Sequence, residues 1–229
     1  MKARTFFTDR SGGVSSRPYD SLNLALHVGD DPVVVAANRA ILATQQGLEI
    51  SSIHYMNQVH GNVVAIIDRG SSATNSPTAD ALFTTEPGIA LVVLTADCIP
   101  LLLTSDRAVA AVHVGRKGLV EGVARETLKV FSDHGIQPSE ISALMGASIC
   151  ADCYEVDREM YADVVAKIPE TATSEDQHCL DLISGLQAQL NEYGISPSID
   201  HRCTAEEDSL FSYRRDDLTG RQASGVILQ

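Results

Sequence analysis

Residues 88–114, GIALVVLTADCIPLLLTSDRAVAAVHV, leave this chain little freedom. Three apolar runs follow one another with only short polar breaks, so they have to form buried-looking strands. Short connections predict that the strands around 91–95, 100–104 and 108–113 are adjacent. Two reactive groups punctuate the same stretch. Cys98 opens one run and His113 closes the next, just before a glycine. A two-residue turn at Ser105-Asp106 places Thr104 opposite Arg107, and equal steps outward place Cys98 opposite His113. Facing residues of an antiparallel pair share one side of the sheet, with Cα atoms about 4.5–5.5 Å apart. That is within reach of a shared metal or a Cys-His hydrogen bond. Pro100 has no N–H for a ladder, so the strand lies at an edge or breaks near Cys98. A slip of one residue would change the facing. The pattern alone therefore leaves a second reading open, a buried cysteine and an unrelated strand-end histidine.

The rest of the chain reads as mixed α/β. ARTFFT is a first strand, DRSGGVSS a loop and NVVAIID a further strand. GDDPVVVAANRAILATQQG is a helix, with an Asp cap ahead of Pro32 and Gly47 as its stop. GLVEGVARETLKVFSDHG reads as one amphipathic helix ending at Gly135. EVDREMYADVVAKI and LDLISGLQAQLNEYG are two more helices, and SGVILQ is a terminal strand. There is no internal repeat or linker, so residues 1–229 are expected to form a single domain.

Composition narrows the function. Of 229 residues, 44% are apolar and 21% charged, enough for a substantial core. Thirty acidic residues against 17 basic ones give a net charge of −13, which disfavours nucleic acid and anionic membrane as partners. No charged-then-apolar leader follows Met1 and no apolar run has spanning length, so a cytoplasmic protein is expected. Five cysteines are too few for a disulfide scaffold and fit a reducing compartment. Oligomeric state is left open.

His60, in NQVHGNVV, is a second histidine followed by glycine beside a strand. Alone it reads as a loop residue. With Cys98 and His113 it completes a set of two imidazoles and one thiolate. Three protein ligands leave a fourth position open, the pattern of catalytic zinc; copper suits the same donors.

SGGVSSRPYDSLNLALHVGDDP, NQVHG, TADCIPLLL, HVGRKGL and FSYRRDDLTGRQAS together resemble the laccase-domain, YfiH-like family. Its members have been described as multicopper polyphenol oxidases and later as purine nucleoside phosphorylases, and include the peptidoglycan editing factor. The resemblance spans nearly the whole chain in motif order. It implies an α/β fold, a single-domain layered sandwich of mixed β-sheets with outer helices. It also implies a metal, usually zinc, on His60, Cys98 and His113, the pair chosen by the hairpin count plus the loop histidine. The implied partners are a purine nucleoside (adenosine, inosine, guanosine or methylthioadenosine) and phosphate, with adenosine deamination as a further activity. Arg39, in ANR, is otherwise a solvated helix charge; the resemblance makes it an active-site residue and an anion contact, as arginine's fork suits phosphate. Arg215, beside Arg214 in SYRRD, is the alternative basic source for substrate. Cys98 and His113 are the expected catalytic pair.

The chain departs from the family pattern in two places. The usual HAGWRGL is HVGRKGL, so Arg116 replaces a tryptophan and Lys117 an arginine. GPAIGP has become GASICAD, adding Cys150. No second Cys-x-x-Cys accompanies Cys150 and Cys153, and the reading taken is two incidental cysteines at a strand-to-helix connection. His27 is read as structural, and Asp97 as facing away from the site. Copper polyphenol oxidation is disfavoured because the seven scattered histidines form no His-x-His pair. A Cys-His hydrolase and a cell-wall precursor editing role remain as alternatives.

Overall fold

A computed structural model describes residues 2–173 and 178–229. Its strands are β1 (Ala3–Phe7), β2 (Ile53–His54), β3 (Val64–Ile66), β4 (Ala81–Thr84), β5 (Ala90–Thr95), β6 (Ile99–Thr104), β7 (Val109–Val114), β8 (Ser142–Met145), β9 (Ser198–Ile199) and β10 (Gln222–Leu228). Its helices are α1 (Pro32–Gln46), α2 (Arg116–Glu121), α3 (Val123–Asp133), α4 (Arg158–Lys167), α5 (Leu182–Asn191) and α6 (Tyr213–Asp216). The strands make two mixed sheets, ordered β1-β10-β5-β2 and β3-β4-β7-β6-β8-β9. The β2–β5, β3–β4 and β8–β9 pairs are parallel and the others antiparallel.

The long apolar runs are explained by layering. Alternate residues of β5 serve two cores. Ala90, Val92 and Leu94 pack with Leu42 and Ala43 of α1, while Leu91 and Val93 face the other sheet. In the second sheet, Leu101, Leu103, Ala110 and Val112 pack under α3 and α5, against Phe131, Leu186 and Leu190. Leu102, Val109 and Ala111 point the other way, into the space between the sheets. A strand covered on both faces has no polar side to show, so its sequence does not alternate. This is the layered α/β sandwich expected from the resemblance.

Two expectations about strand placement need correction. β5 is not adjacent to β6 and β7; it belongs to the other sheet and pairs with β10 and β2. The chain crosses between sheets at Ala96–Cys98, where Asp97 adopts a left-handed φ of 93°. The β6–β7 turn is also two residues longer than expected. Thr104 pairs with Val109 and Pro100 with His113. Ser105 builds the longer turn, its Oγ accepting from the N–H groups of Arg107 and Ala108. Because the slip is two residues, every side chain keeps its face. By parity, His113 continues the inter-sheet row of Val109 and Ala111, and Cys98 lies one diagonal step away. Pro100 is tolerated because it lies at the end of the β8 pairing, where only its carbonyl is used, accepting from Gly146 N–H at 2.9 Å.

The helix expected to run to Gly135 is two helices. Gly122 takes φ 76°, closes α2 by donating to the carbonyls of Gly118 and Leu119, and starts α3. α1 begins and ends as expected, with Asp31 accepting from Val33 N–H and Gly47 left-handed at its end.

Leu102 is fully buried between the sheets. Leu102→Ala is expected to destabilise the protein by about 2–5 kcal/mol. Equilibrium urea unfolding should show a lower midpoint with an unchanged slope; a shift equivalent to less than about 1 kcal/mol would mean the inter-sheet space collapses freely.

Candidate metal centre and cavity

Asp80, immediately before β4, organises the site and was missed in the sequence. Its carboxylate is fully buried. It accepts from the backbone N–H groups of Val59, His60 and Gly61 at 3.3, 2.8 and 2.7 Å. It also meets His113 Nδ1 at 2.8 Å. One carboxylate thus folds the QVHG loop over itself and fixes the ring of the strand histidine. The loop is held in an uncommon conformation, with His60 left-handed at φ 62°. Gln58 extends the tie to the opposite sheet, exchanging two hydrogen bonds with the backbone of Leu94.

With Nδ1 on Asp80, the Nε2 side of His113 faces His60 and Cys98. The two imidazole rings lie 4.7 Å apart, and Cys98 Sγ is 3.9 Å from His60 Nε2. One ligand atom from each of His60, Cys98 and His113 lies within 4.8 Å of the others. The three residues therefore converge from a loop, a sheet crossover and a strand end. Gly115 closes the cradle, since a Cβ there would stand 2.9 Å from His60 Cδ2 and 3.1 Å from Cys98 Sγ. Two imidazole nitrogens and a thiolate, with a carboxylate behind one imidazole, fit zinc: the carboxylate–histidine arrangement is the usual outer support of a zinc ligand.

Electrostatics favours ionisation here. Burial works to raise the Cys98 pKa, but the charge and hydrogen bond of His113, helped by His60, bring it down to about 6. Burial works to lower His113, but the Cys98 charge and Asp80 raise it to about 9. Burial likewise opposes ionisation of Asp80, yet His113 and the N–H groups of Gly61 and His60 hold its pKa below the usual value. Without metal, each partner favours the charged form of the other, which draws the pair toward thiolate and imidazolium.

Asp97, expected to face away from the site on a regular strand, instead lies in the crossover and lines the cavity with Cys98, its carboxylate committed to a structural role. It accepts from Thr204 and Ser212 hydroxyls at 2.7 and 2.6 Å and from Arg214 N–H at 2.7 Å. This ties the crossover to the segment before β10.

The three residues open into a cavity of about 820 Å³. That is the size of a small-molecule site. Arg116, Arg214 and Arg221 line it, together with His27, Tyr154 and Tyr213. The Arg116 that replaces tryptophan thus adds a cation to the cavity, whereas Lys117 lines a smaller neighbouring depression. Arg39 and Arg215 are not brought into the cavity wall. Arg39 stacks 3.9 Å over the Tyr55 ring and donates from Nε to the carbonyl of Leu24. It reaches the site only electrostatically, through His27, whose pKa burial lowers first, then Arg221 and Arg39. Arg215 spends its donors on the carbonyls of Thr204, Glu207 and Leu210 and on Asp216. Its role is to shape the loop that presents Arg214. Arg221, which the sequence reading passed over, donates from Nη1 to the carbonyls of Thr219 and Gly220. Its Nε and Nη2 have no protein acceptor among the described residues. No described helix is long and apolar enough to cross a membrane.

Residues 4–229 match the family described as multi-copper polyphenol oxidoreductase laccase, and the chain belongs to it. A purine nucleoside phosphorylase of Corynebacterium glutamicum is 46% identical over 98% of this chain and 94% of its own. One from Mycobacterium tuberculosis is 43% identical over 100% of this chain and 93% of its own. Among solved structures, a Neisseria meningitidis protein of the DUF152 family superposes with a TM-score of 0.89 at 36% identity, covering 99% of this chain and 94% of that one. Bacillus licheniformis YfiH superposes at 0.91 and 28% identity, covering 99% and 93%. The fold, one compact α/β unit with two mixed sheets, is thus the fold of the family.

Asp80→Asn is expected to weaken zinc binding about 10–100-fold, because outer carboxylates orient and strengthen ligating imidazoles. Competition with a chromophoric chelator measures it, and wild-type affinity in the variant would refute the positioning role. In metal-free protein, alkylation of Cys98 by iodoacetamide is expected to titrate near pH 6. A midpoint at the ordinary thiol value of about 8.5, for the signal that disappears in Cys98→Ala, would rule out the ion pair.

Proposed function

We propose that this chain is a zinc-dependent purine nucleoside phosphorylase. It would convert adenosine, inosine, guanosine or methylthioadenosine, with phosphate, to the free base and the corresponding pentose 1-phosphate. The observation that carries the reading is the convergence of His60, Cys98 and His113 at the floor of a cavity lined by three arginines, in a chain whose net charge is −13. The same wall carries Asp97, Glu155, Asp157 and Asp217, so a small anion would be gripped by individual guanidinium groups rather than by a net positive cavity. The phosphorylase names of the relatives supply the reaction.

In phosphorolysis a phosphate oxygen forms a bond to the anomeric carbon as the bond from that carbon to the purine nitrogen breaks. The electron pair leaves with the base, which takes up a proton. The sugar carries oxocarbenium character in between, so an anion held against it lowers the barrier. Arg221 is the proposed phosphate contact, in place of Arg39 and Arg215. A half-buried guanidinium with two uncommitted donors can grip two phosphate oxygens at once. Arg39 contributes positive potential from behind His27. Thr95 lines the same cavity, and its buried hydroxyl has no partner among the described residues. His60, Cys98 and His113 are the proposed zinc ligands, and zinc when bound supplies a Lewis acid beside the reacting centre. Glu155 and Asp157, also in the wall, are the carboxylates that adenosine deamination at this site would require for proton transfer.

One observation favours a second reading. Cys98, His113 and Asp80 are arranged as nucleophile, base and orienting acid, and the thiol is acidified to about 6. That is the layout of a cysteine hydrolase.

Purified protein assayed with inosine or adenosine plus phosphate is expected to release base and pentose 1-phosphate. Cys98→Ala should lose the zinc of the His60–His113 site and cleavage together while keeping its circular dichroism spectrum. Full activity in chelator-stripped protein, abolished only by Cys98→Ala, would replace the phosphorylase mechanism with the thiol one. Arg221→Ala is expected to raise the KM for phosphate at least about tenfold, the loss of one charge-assisted contact of about 1.5–3 kcal/mol. A phosphate KM unchanged in Arg221→Ala but raised in Arg39→Ala would return the anion contact to α1.

A further inference from the structure

Cys150 and Cys153 do not stand alone. The segment after β8 and the segment after β9 run side by side, joined by a parallel bridge between Ser148 and Cys203 and by Thr204 N–H donating to the Ser148 carbonyl at 3.0 Å. Cys153 and Tyr154 N–H groups return to the Cys150 carbonyl at 3.3 and 3.2 Å, a turn that brings the two thiols of Cys-x-x-Cys to one side. Cys203 faces them from the second segment, and Glu206 follows one turn later. One ligand atom from each of Cys150, Cys153, Cys203 and Glu206 lies within 4.8 Å of every other. All three cysteines are free thiols. The reading of Cys150 and Cys153 as incidental fails because a third thiol, 50 residues further on, completes the group.

The backbone around Cys203 is built to hold a thiolate. Cys150 N–H donates to its sulfur at 3.3 Å, and the N–H groups of Ala205 and Glu206 hydrogen-bond to it as well. Three N–H donors on one sulfur favour the charged form, which is the form that binds metal. Cys150 and Cys153 could join it as thiolates only around a cation that neutralises all three. Soft sulfur donors select zinc, copper(I) or iron–sulfur centres, and adding one carboxylate oxygen favours zinc among these. Tetrahedral zinc with Zn–S of about 2.3 Å sets sulfurs roughly 3.8 Å apart, which is inside the observed spacing.

We propose that Cys150, Cys153, Cys203 and Glu206 form a second, structural zinc site that clamps together the two segments walling the main cavity. Its four protein ligands make it closed, whereas the His60–Cys98–His113 set has three and is open. Its position gives it a purpose. The first clamped segment continues into Tyr154, Glu155 and Asp157 and the second into Tyr213 and Arg214, all of which line the cavity. Both segments also reach the crossover that carries Cys98, through Ile149 N–H on the Asp97 carbonyl at 2.9 Å and Thr204 on the Asp97 carboxylate.

The test is the zinc content of the full chain, purified with reductant from zinc-supplemented cells and measured by elemental mass spectrometry. Two zinc ions per wild-type chain are expected, one in Cys98→Ala and one in the Cys150→Ser/Cys153→Ser double variant. Cobalt-loaded Cys98→Ala should keep a strong thiolate-to-cobalt charge-transfer band that Cys150→Ser then removes. Should the double variant fail to fold, the count in folded Cys98→Ala decides by itself: one zinc supports the clamp and none overturns it. A disulfide among the three cysteines in freshly isolated protein, or iron in place of zinc, also overturns it. One zinc in both wild type and Cys98→Ala would support the clamp while counting against the open site, so the two ideas fail separately.

Discussion

Everything at the candidate site hangs on the Asp80 carboxylate. It is fully buried, and burying a charge is costly unless it is hydrogen-bonded and paired. Three backbone N–H groups and one imidazole meet that requirement. The same four bonds place His60 and His113 side by side. A loop that would otherwise be free to move becomes a rigid arm of a strand. Removing the carboxylate would orphan three amides and a ring nitrogen together, so the arrangement is cooperative.

Around that anchor, the sandwich supplies a boundary between two environments. The inter-sheet face is apolar along Leu102, Val109 and Ala111 and turns polar only at its end, with His113 and the crossover to Cys98. Reactive groups at the rim of a packed core have ordered neighbours on one side and open space on the other. The left-handed residues His60 and Asp97 both lie at this rim. Such conformations persist only where surrounding contacts enforce them, and here Asp80 enforces one while Thr204, Ser212 and Arg214 enforce the other. The cavity at this rim sets Arg116, Arg214 and Arg221 among Asp97, Glu155, Asp157 and Asp217, so charges of both signs face the open space.

Much was legible in the sequence. The apolar runs marked buried strands, and Asp31, Pro32 and Gly47 delimited α1. QVHG, TADC and HVG marked the three residues that converge, and the hairpin parity put Cys98 and His113 on one face even though the turn was two residues too short. Local rules work in these places because a strand's period of two and a helix cap depend on neighbours in the chain. The segment PTADALF held the one available hint of Asp80, an acid at the entry to an apolar strand, but no spacing rule links it to His60.

Tertiary structure alone decided the rest, because it concerned which distant segments meet. Whether β5 pairs with β6 or lies across the sandwich depends on β10, the last strand of the chain, taking the place beside it. Arg215 and Arg221 look alike in sequence, yet one is consumed by the carbonyls of its own loop and the other keeps donors free. Cys150 and Cys153 were a pair without a purpose until the strand pairing of β8 with β9 carried Cys203 alongside them. Sequence by itself determined the buried strands, the ends of α1 and the His60, Cys98 and His113 donors, since those follow from local periodicity, capping chemistry and motif. Which carboxylate supports the site, which arginines enter it and where the third sulfur lies were set by long-range packing, where proximity has no counterpart in chain position.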